Sequence, residues 1–102
     1  MWISTEAGKV AYTADEIVVR LNELQDAAIN AEATKGLDTA TTRTFVQFVV
    51  SAEKTLAATP AGWQQTVSIA WRETKAQLPA ITNQTVRVAI AALDAALASL
   101  GV

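Results

Sequence analysis

The side chains in this sequence best suited to acid–base chemistry are carboxylates, because the chain contains no His and no Cys. A Ser–His or Cys–His nucleophile pair is therefore excluded, as is a zinc site made of Cys and His ligands. Glu53 and Asp94 lie near the edges of apolar helix faces, where a paired-carboxylate mechanism would use them. The alternative is a solvated carboxylate, or an ion-pair partner for Arg87 or Lys54. We favour that alternative and expect no catalytic, cofactor-binding or metal-binding residues.

Other patterns that indicate a ligand class are missing from the sequence. The four glycines are far apart, so none forms a phosphate-binding loop. The eight basic residues occur singly and the net charge is −2, whereas nucleic-acid binders usually carry a basic stripe. No apolar run reaches the roughly 18 residues of a membrane span. We therefore expect no enzyme, no nucleic-acid partner and no membrane association, and a cytoplasmic or virion location.

Two tryptophans, Trp63 and Trp71, lie about two helical turns apart on one side of a predicted helix. In a small-ligand carrier they would line a cavity between helices. More often such residues are core anchors whose indole N–H lies at the edge of the core. We favour the core interpretation, and the carrier remains an alternative.

Helical periodicity predicts a first helix from about Asp15 to Ala33, ended by Gly36 in a left-handed cap. A second helix ends near Ala58. Its run Phe45–Val50 has strand propensity, but the helical spacing continues beyond it, which favours a helix.

The remaining two helices are predicted from their capping residues. Thr59 followed by Pro60 is typical of a helix start, and Pro79 closes this third helix. The polar side of the third helix carries Gln64, Gln65, Ser68, Arg72 and Lys75, which we expect to face solvent. Thr82 or Asn83 caps the fourth helix, and Gly101 ends it. Each helix has an apolar face at helical spacing, with these predicted core residues: Ile17, Leu21, Leu24, Ala28 and Ala31; Phe45, Val49, Ala52 and Leu56; Trp63, Val67, Ala70, Trp71, Thr74 and Leu78; Val86, Ile90, Leu93, Leu97 and Leu100.

The short connections favour antiparallel neighbours. The predicted fold is therefore all-α: one domain, residues 1–102, in which residues 13–102 form a small antiparallel four-helix bundle. Residues 1–12 differ from the rest, because apolar residues flank a short polar turn at Gly8. We expect a short N-terminal arm, extended or a β-hairpin, that packs through Trp2 and Tyr12.

The fourth helix is apolar on nearly all sides, which predicts that it is buried on nearly all sides. Opposite its core face, it carries small uncharged residues that permit close approach of another backbone. Together with the arm and Ile69, these residues form the candidate interface: Trp2, Tyr12, Ile69, Val88, Ala91, Ala95 and Ala98.

The sequence as a whole favours a non-enzymatic structural protein that works as a subunit of a larger assembly. The most concrete form of this hypothesis is a virion component of a phage particle. Its partner would be another copy of itself or a different protein subunit, so we expect an oligomer. The alternatives are a small soluble binding or inhibitor module that acts on a partner protein, and the ligand carrier with Trp63 and Trp71 in its cavity.

Overall fold

A computed structural model of the protein describes residues 14–100, and the predicted N-terminal arm with Trp2 and Tyr12 lies outside this range, as does Gly101. The described part is all-helical, with no strand between residues 14 and 100. None of its helices combines the length and the hydropathy that crossing a bilayer requires. Four helices pack against each other: α1 (Ala14–Ala33), α2 (Thr39–Ala58), α3 (Trp63–Ala76) and α4 (Gln84–Ala98).

The apolar face predicted for α1 is the face that the structure buries. Ile17, Leu21 and Leu24 are completely enclosed, and Ala28 and Ala31 continue the same face. Helix α1 packs against both α2 and α4, and each of these two contacts is more extensive than the contact between α2 and α3. Its polar side is exposed, where Arg20 forms an ion pair with Glu23 one turn later, at 2.7 Å.

Helix α2 confirms the prediction that the run Phe45–Val50 is helical rather than a strand. Phe45 and Val49 are fully buried, and Ala52 and Leu56 follow on the same face. The helix spacing that continues beyond Val50 therefore outweighs the β-propensity of the individual residues. Helix α2 packs against α1 on one side and α3 on the other.

The end of α1 differs from the prediction in one residue. Lys35, not Gly36, has the left-handed conformation, with φ 64°. The N–H of Lys35 donates to the carbonyl of Glu32 at 2.9 Å, and the N–H of Gly36 donates to that of Ala31 at 2.7 Å. This paired arrangement satisfies the last carbonyls of the helix.

Gly36 is required by a close contact with Asn83 rather than by a left-handed backbone conformation. A Cβ at this position would lie 2.6 Å from Nδ2 of Asn83, the residue that caps α4. The side chain of Asn83 accepts a hydrogen bond from the N–H of Val86 at 3.1 Å, so the predicted cap at Asn83 is confirmed. The close approach at Gly36 thus places the end of α1 against the start of α4.

The predicted start of α3 at Thr59 and Pro60 is wrong. Thr59 instead ends α2: it has φ 40°, and its N–H donates to the carbonyl of Thr55. Helix α3 begins at Trp63 after Gly62, which has φ 77° and offers no capping side chain. A turn between the two helices therefore occupies the residues that sequence patterns assigned to the first turn of α3.

Candidate functional site

A groove of about 150 Å³ lies between α3 and α4 and brings several kinds of side chain together. Helix α3 packs mainly against α2, and a hydrogen bond and an ion pair between side chains connect it to α4. The groove is lined by charged, hydroxyl and apolar groups: Ser68, Trp71, Arg72, Lys75, Asp94, Leu97 and Ala98.

Trp71 forms the inner wall of this groove. The residue is only 2% exposed, and its ring lies 5.1 Å, centroid to centroid, from the ring of Phe48 on α2. The indole N–H donates to Oδ1 of Asp94 across the α3–α4 junction, with a nitrogen–oxygen distance of 2.6 Å. Trp71 is therefore a core residue whose N–H lies at the core boundary, as the sequence predicted.

Asp94 also forms an ion pair with Lys75. Nζ of Lys75 lies 2.7 Å from Oδ1 of Asp94, and 5.6 Å from the centroid of the Trp71 ring. This position over the ring adds a cation–π attraction. Both charged side chains are more than a third exposed, so water weakens the ion pair. Asp94 thus has the structural role that the alternative interpretation gave it, but with Lys75 rather than Arg87 as its partner.

The second carboxylate singled out from the sequence, Glu53, lies half-buried on α2. No hydrogen bond or ion pair joins Glu53 to Asp94 in the part of the chain that the structure describes. The two carboxylates that a paired acid–base mechanism would need are therefore not brought together by a direct contact. Between residues 14 and 100, no group of three or more carboxylates is placed so that it could hold a metal ion.

Ser68 is the residue of this groove that sequence patterns placed wrongly. We expected it on the polar side of α3, but it is only 5% exposed. Its hydroxyl oxygen is buried and has no hydrogen-bond partner in the structure. An unpaired buried hydroxyl is costly, so a satisfying partner would be favourable here. The burial of Ser68 depends on how α3 packs against its neighbours, so it could not be predicted from the sequence.

The cations Arg72 and Lys75 were also assigned to the solvent side of α3. The sequence does contain a weak signal that Lys75 lies near Trp71, because the two residues are four positions apart and therefore adjacent on one helix face. Asp94, which contacts both Trp71 and Lys75, is 23 residues from Trp71 in the chain. No local pattern predicts a contact over that separation. Trp63, the other residue of the predicted ligand cavity, does not line this groove.

The outer face of α4, which we define as Val88, Ala91, Ala95 and Ala98, is exposed. Val88 is 57% exposed, more than any other large apolar residue described. The expectation that α4 is buried on nearly all sides is therefore wrong for the single chain. The reason is that α4 packs against α1 through the opposite face, and the contacts that α3 makes with Asp94 lie at the border of the outer face.

Ile69, also part of the candidate interface, is 42% exposed on α3. Its neighbours one turn away on that helix are polar and exposed: Gln65, Thr66, Arg72 and Glu73. Single apolar residues in polar surroundings are common on protein surfaces. Ile69 therefore does not extend an apolar patch on its own helix, in contrast to Val88 on α4.

Two further depressions lie next to α2. One, of about 290 Å³, runs between α2 and α3 over polar residues and Phe48. The other, of about 580 Å³, surrounds the α1–α2 turn at Gly36 and Asp38. Asp38 caps α2 there, and hydrogen bonds from Thr41, first its side chain and then its backbone N–H, hold the pKa of this carboxyl below its usual value. These contacts serve the helix start and account for the polar residues at this turn.

No protein-family model matches the chain, and comparisons with curated proteins and with solved structures find no significant match.

Proposed function

We propose that this chain is a non-enzymatic structural protein whose helices form an antiparallel bundle that associates with further copies of itself in a larger assembly. The observation that carries the proposal is the outer face of α4. Four consecutive positions of one stripe, from Val88 to Ala98, are exposed and carry no charge. In a monomer, this side of a helix usually carries Lys or Glu.

The composition of this face favours a second copy of the same chain as its partner. A two-fold interface places a surface patch against itself, so like charges at its centre would repel. The outer face of α4 has no charge at its centre, because Arg87 and Asp94 lie at its border. Its Ala side chains also let two helix backbones approach closely, as small residues do in other tightly packed helix pairs.

The polar face of α1 provides the contrast within the same molecule. Val19 is 49% exposed there, but Asp15, Glu16, Asn22 and Glu23 surround it on the helix. Acidic residues at this density keep a surface solvated and oppose self-contact. This contrast supports the proposal that α4, rather than α1, is the helix for association.

The test is the substitution Ala95→Glu at the centre of the face. Glu is a good helix former and position 95 is exposed, so the subunit should stay folded. We expect sedimentation velocity to show an oligomer for the wild type and a smaller species for the variant, with equal helix content by circular dichroism. Ala57→Glu, at an exposed position on α2, is the matched control and should leave the mass unchanged. Equal masses for the wild type and Ala95→Glu would contradict the proposal.

The setting of the assembly, a phage particle, stays a prediction from the sequence. Mass spectrometry of phage particles, purified from a lysate that contains the chain, tests this prediction. Recovery in stoichiometric amount would support a virion component. Recovery only in the soluble fraction would favour the alternative of a binding or inhibitor module.

A further inference from the structure

We propose that the groove between α3 and α4 binds a small aliphatic carboxylate, with Ser68 and Arg72 as the groups that recognise its anionic end. This binding does not require association through the outer face of α4, although the two surfaces share Ala98. The groove has an apolar wall, an unused hydroxyl and a cation at its rim, and these three features define the class of ligand.

Ser68 provides the polar contact inside the groove. Its residue is 5% exposed and lines the groove, while its hydroxyl oxygen has no partner. A buried hydroxyl without a partner is a rare feature in folded proteins. A ligand oxygen that accepts a hydrogen bond from this hydroxyl would satisfy it. This hydrogen bond would favour binding in the groove over binding elsewhere on the surface.

The charge of the groove selects an anion. Its lining contains two cations, Arg72 and Lys75, and one carboxylate, Asp94. Asp94 already accepts from Lys75 and from the indole N–H of Trp71, so its charge is largely compensated. Arg72 has no ion pair within residues 14–100, and its Nε lies 3.5 Å from the carbonyl oxygen of Ser68. Its guanidinium therefore remains available for a ligand carboxylate, the group it matches best.

The size and the walls of the groove limit the rest of the ligand. The groove volume of about 150 Å³ is similar to that of an engineered, enclosed cavity in another protein that accepts benzene. The ring of Trp71 and the side chains of Leu97 and Ala98 provide apolar contact. A branched acid of four to six carbons fits both properties, so 3-methylbutanoate is a suitable probe.

The experiment is a titration of the full ¹⁵N-labelled chain with 3-methylbutanoate, followed through the assigned indole N–H signals of the three tryptophans. We expect a saturable shift of the Trp71 signal with a Kd on the order of millimolar, ordinary for so small a ligand. The Trp63 signal is an internal control, because Trp63 does not line the groove. The uncharged isostere 3-methylbutanamide should shift the Trp71 signal much less.

Two substitutions test whether Arg72 and Ser68 contact the bound carboxylate. Arg72→Gln and Ser68→Ala should each raise the Kd at least about threefold, the scale of one lost hydrogen bond, while circular dichroism stays unchanged. Arg43→Gln, at an exposed position on α2, should leave the Kd unchanged. The proposal is overturned if the Trp71 signal does not saturate, if the amide binds as well as the acid, or if Arg72→Gln binds like Arg43→Gln.

Discussion

Helix α4 makes two contacts of opposite character within the same subunit. Toward α1 it presents Val86 and Leu93, both fully buried, together with Ala96. Toward α3 it presents Asp94, which holds Trp71 and Lys75 through polar contacts beside a groove. The first contact is a closed apolar interface, whereas the second is a partly exposed junction held by one carboxylate oxygen.

The difference shows which part of the molecule supplies stability and which part remains available for binding. Apolar burial contributes in proportion to the area removed from water, so the α1–α4 contact should dominate the free energy of unfolding. Exposed ion pairs contribute little, so the α3–α4 junction should be much weaker. Substitutions on the two sides of α4 can test this division directly.

The largest expected effect is that of Leu93→Ala. Leu93 is fully buried in the middle of α4, and such substitutions cost about 2–5 kcal/mol through lost burial and the cavity left behind. Urea denaturation followed by circular dichroism measures the loss. Val88→Ala, on the exposed side of the same helix, should change stability by less than about 0.5 kcal/mol. Similar losses for the two variants would show that α4 is not oriented as described.

Asp94→Ala should cost less, about 1–2 kcal/mol. Most of this loss comes from the buried indole N–H of Trp71, which would lose its acceptor, and little from the exposed ion pair with Lys75. Asp94→Asn keeps a side-chain carbonyl as acceptor and should lose less than half as much. If Asp94→Asn is as destabilising as Asp94→Ala, the ion pair rather than the indole bond holds the junction.

Gly36→Ala should cost about 1 kcal/mol, because the added methyl group would collide with Asn83 and disturb the cap of α4. In an Asn83→Ser background, the shorter side chain still caps the helix and leaves room for the methyl group. The same substitution should then cost clearly less, and a double-mutant cycle by urea denaturation measures the coupling. Equal costs in both backgrounds would place the strain elsewhere in the turn.

Ser68→Ala has the smallest expected effect, and it should be stabilising by about 0.5–1 kcal/mol. The change removes a buried hydroxyl that has no partner, and Ala is the better helix former. Ser51→Ala, at an exposed position on α2, reports the helix propensity alone. A gain at position 68 no larger than the gain at position 51 would mean that the Ser68 hydroxyl is satisfied in solution.

The helices could be predicted from the sequence where many residues share one periodic pattern. The bounds of α1 and the buried face of α2 follow from such patterns, which average over several turns. Helix ends depend on single residues, and there the prediction was less accurate. Thr59 has φ 40° and ends α2, although its type and the following Pro60 are typical of a helix start.

The groove could not be predicted, because it depends on how two helices face each other. Ser68 was placed on the solvent side of α3, and Asp94 was matched to a cation on its own helix. Sequence patterns assign both residues to the correct helices, but the burial of Ser68 and the partner of Asp94 are set by α3 and α4 together. Contacts between residues so far apart in the chain carry no local signal.

The central claim, that the outer face of α4 lies against the same face of a second copy, is tested most directly by cross-linking. The chain has no Cys, so the single substitution Ala95→Cys introduces a unique reactive group at the centre of the face. We expect oxidation, or a short bifunctional maleimide, to yield a covalent dimer at micromolar protein concentration. Ala57→Cys on the exposed side of α2 leaves the outer face of α4 intact and should yield little covalent dimer under the same conditions. Cross-linking of Ala95→Cys no greater than that of Ala57→Cys would contradict the claim.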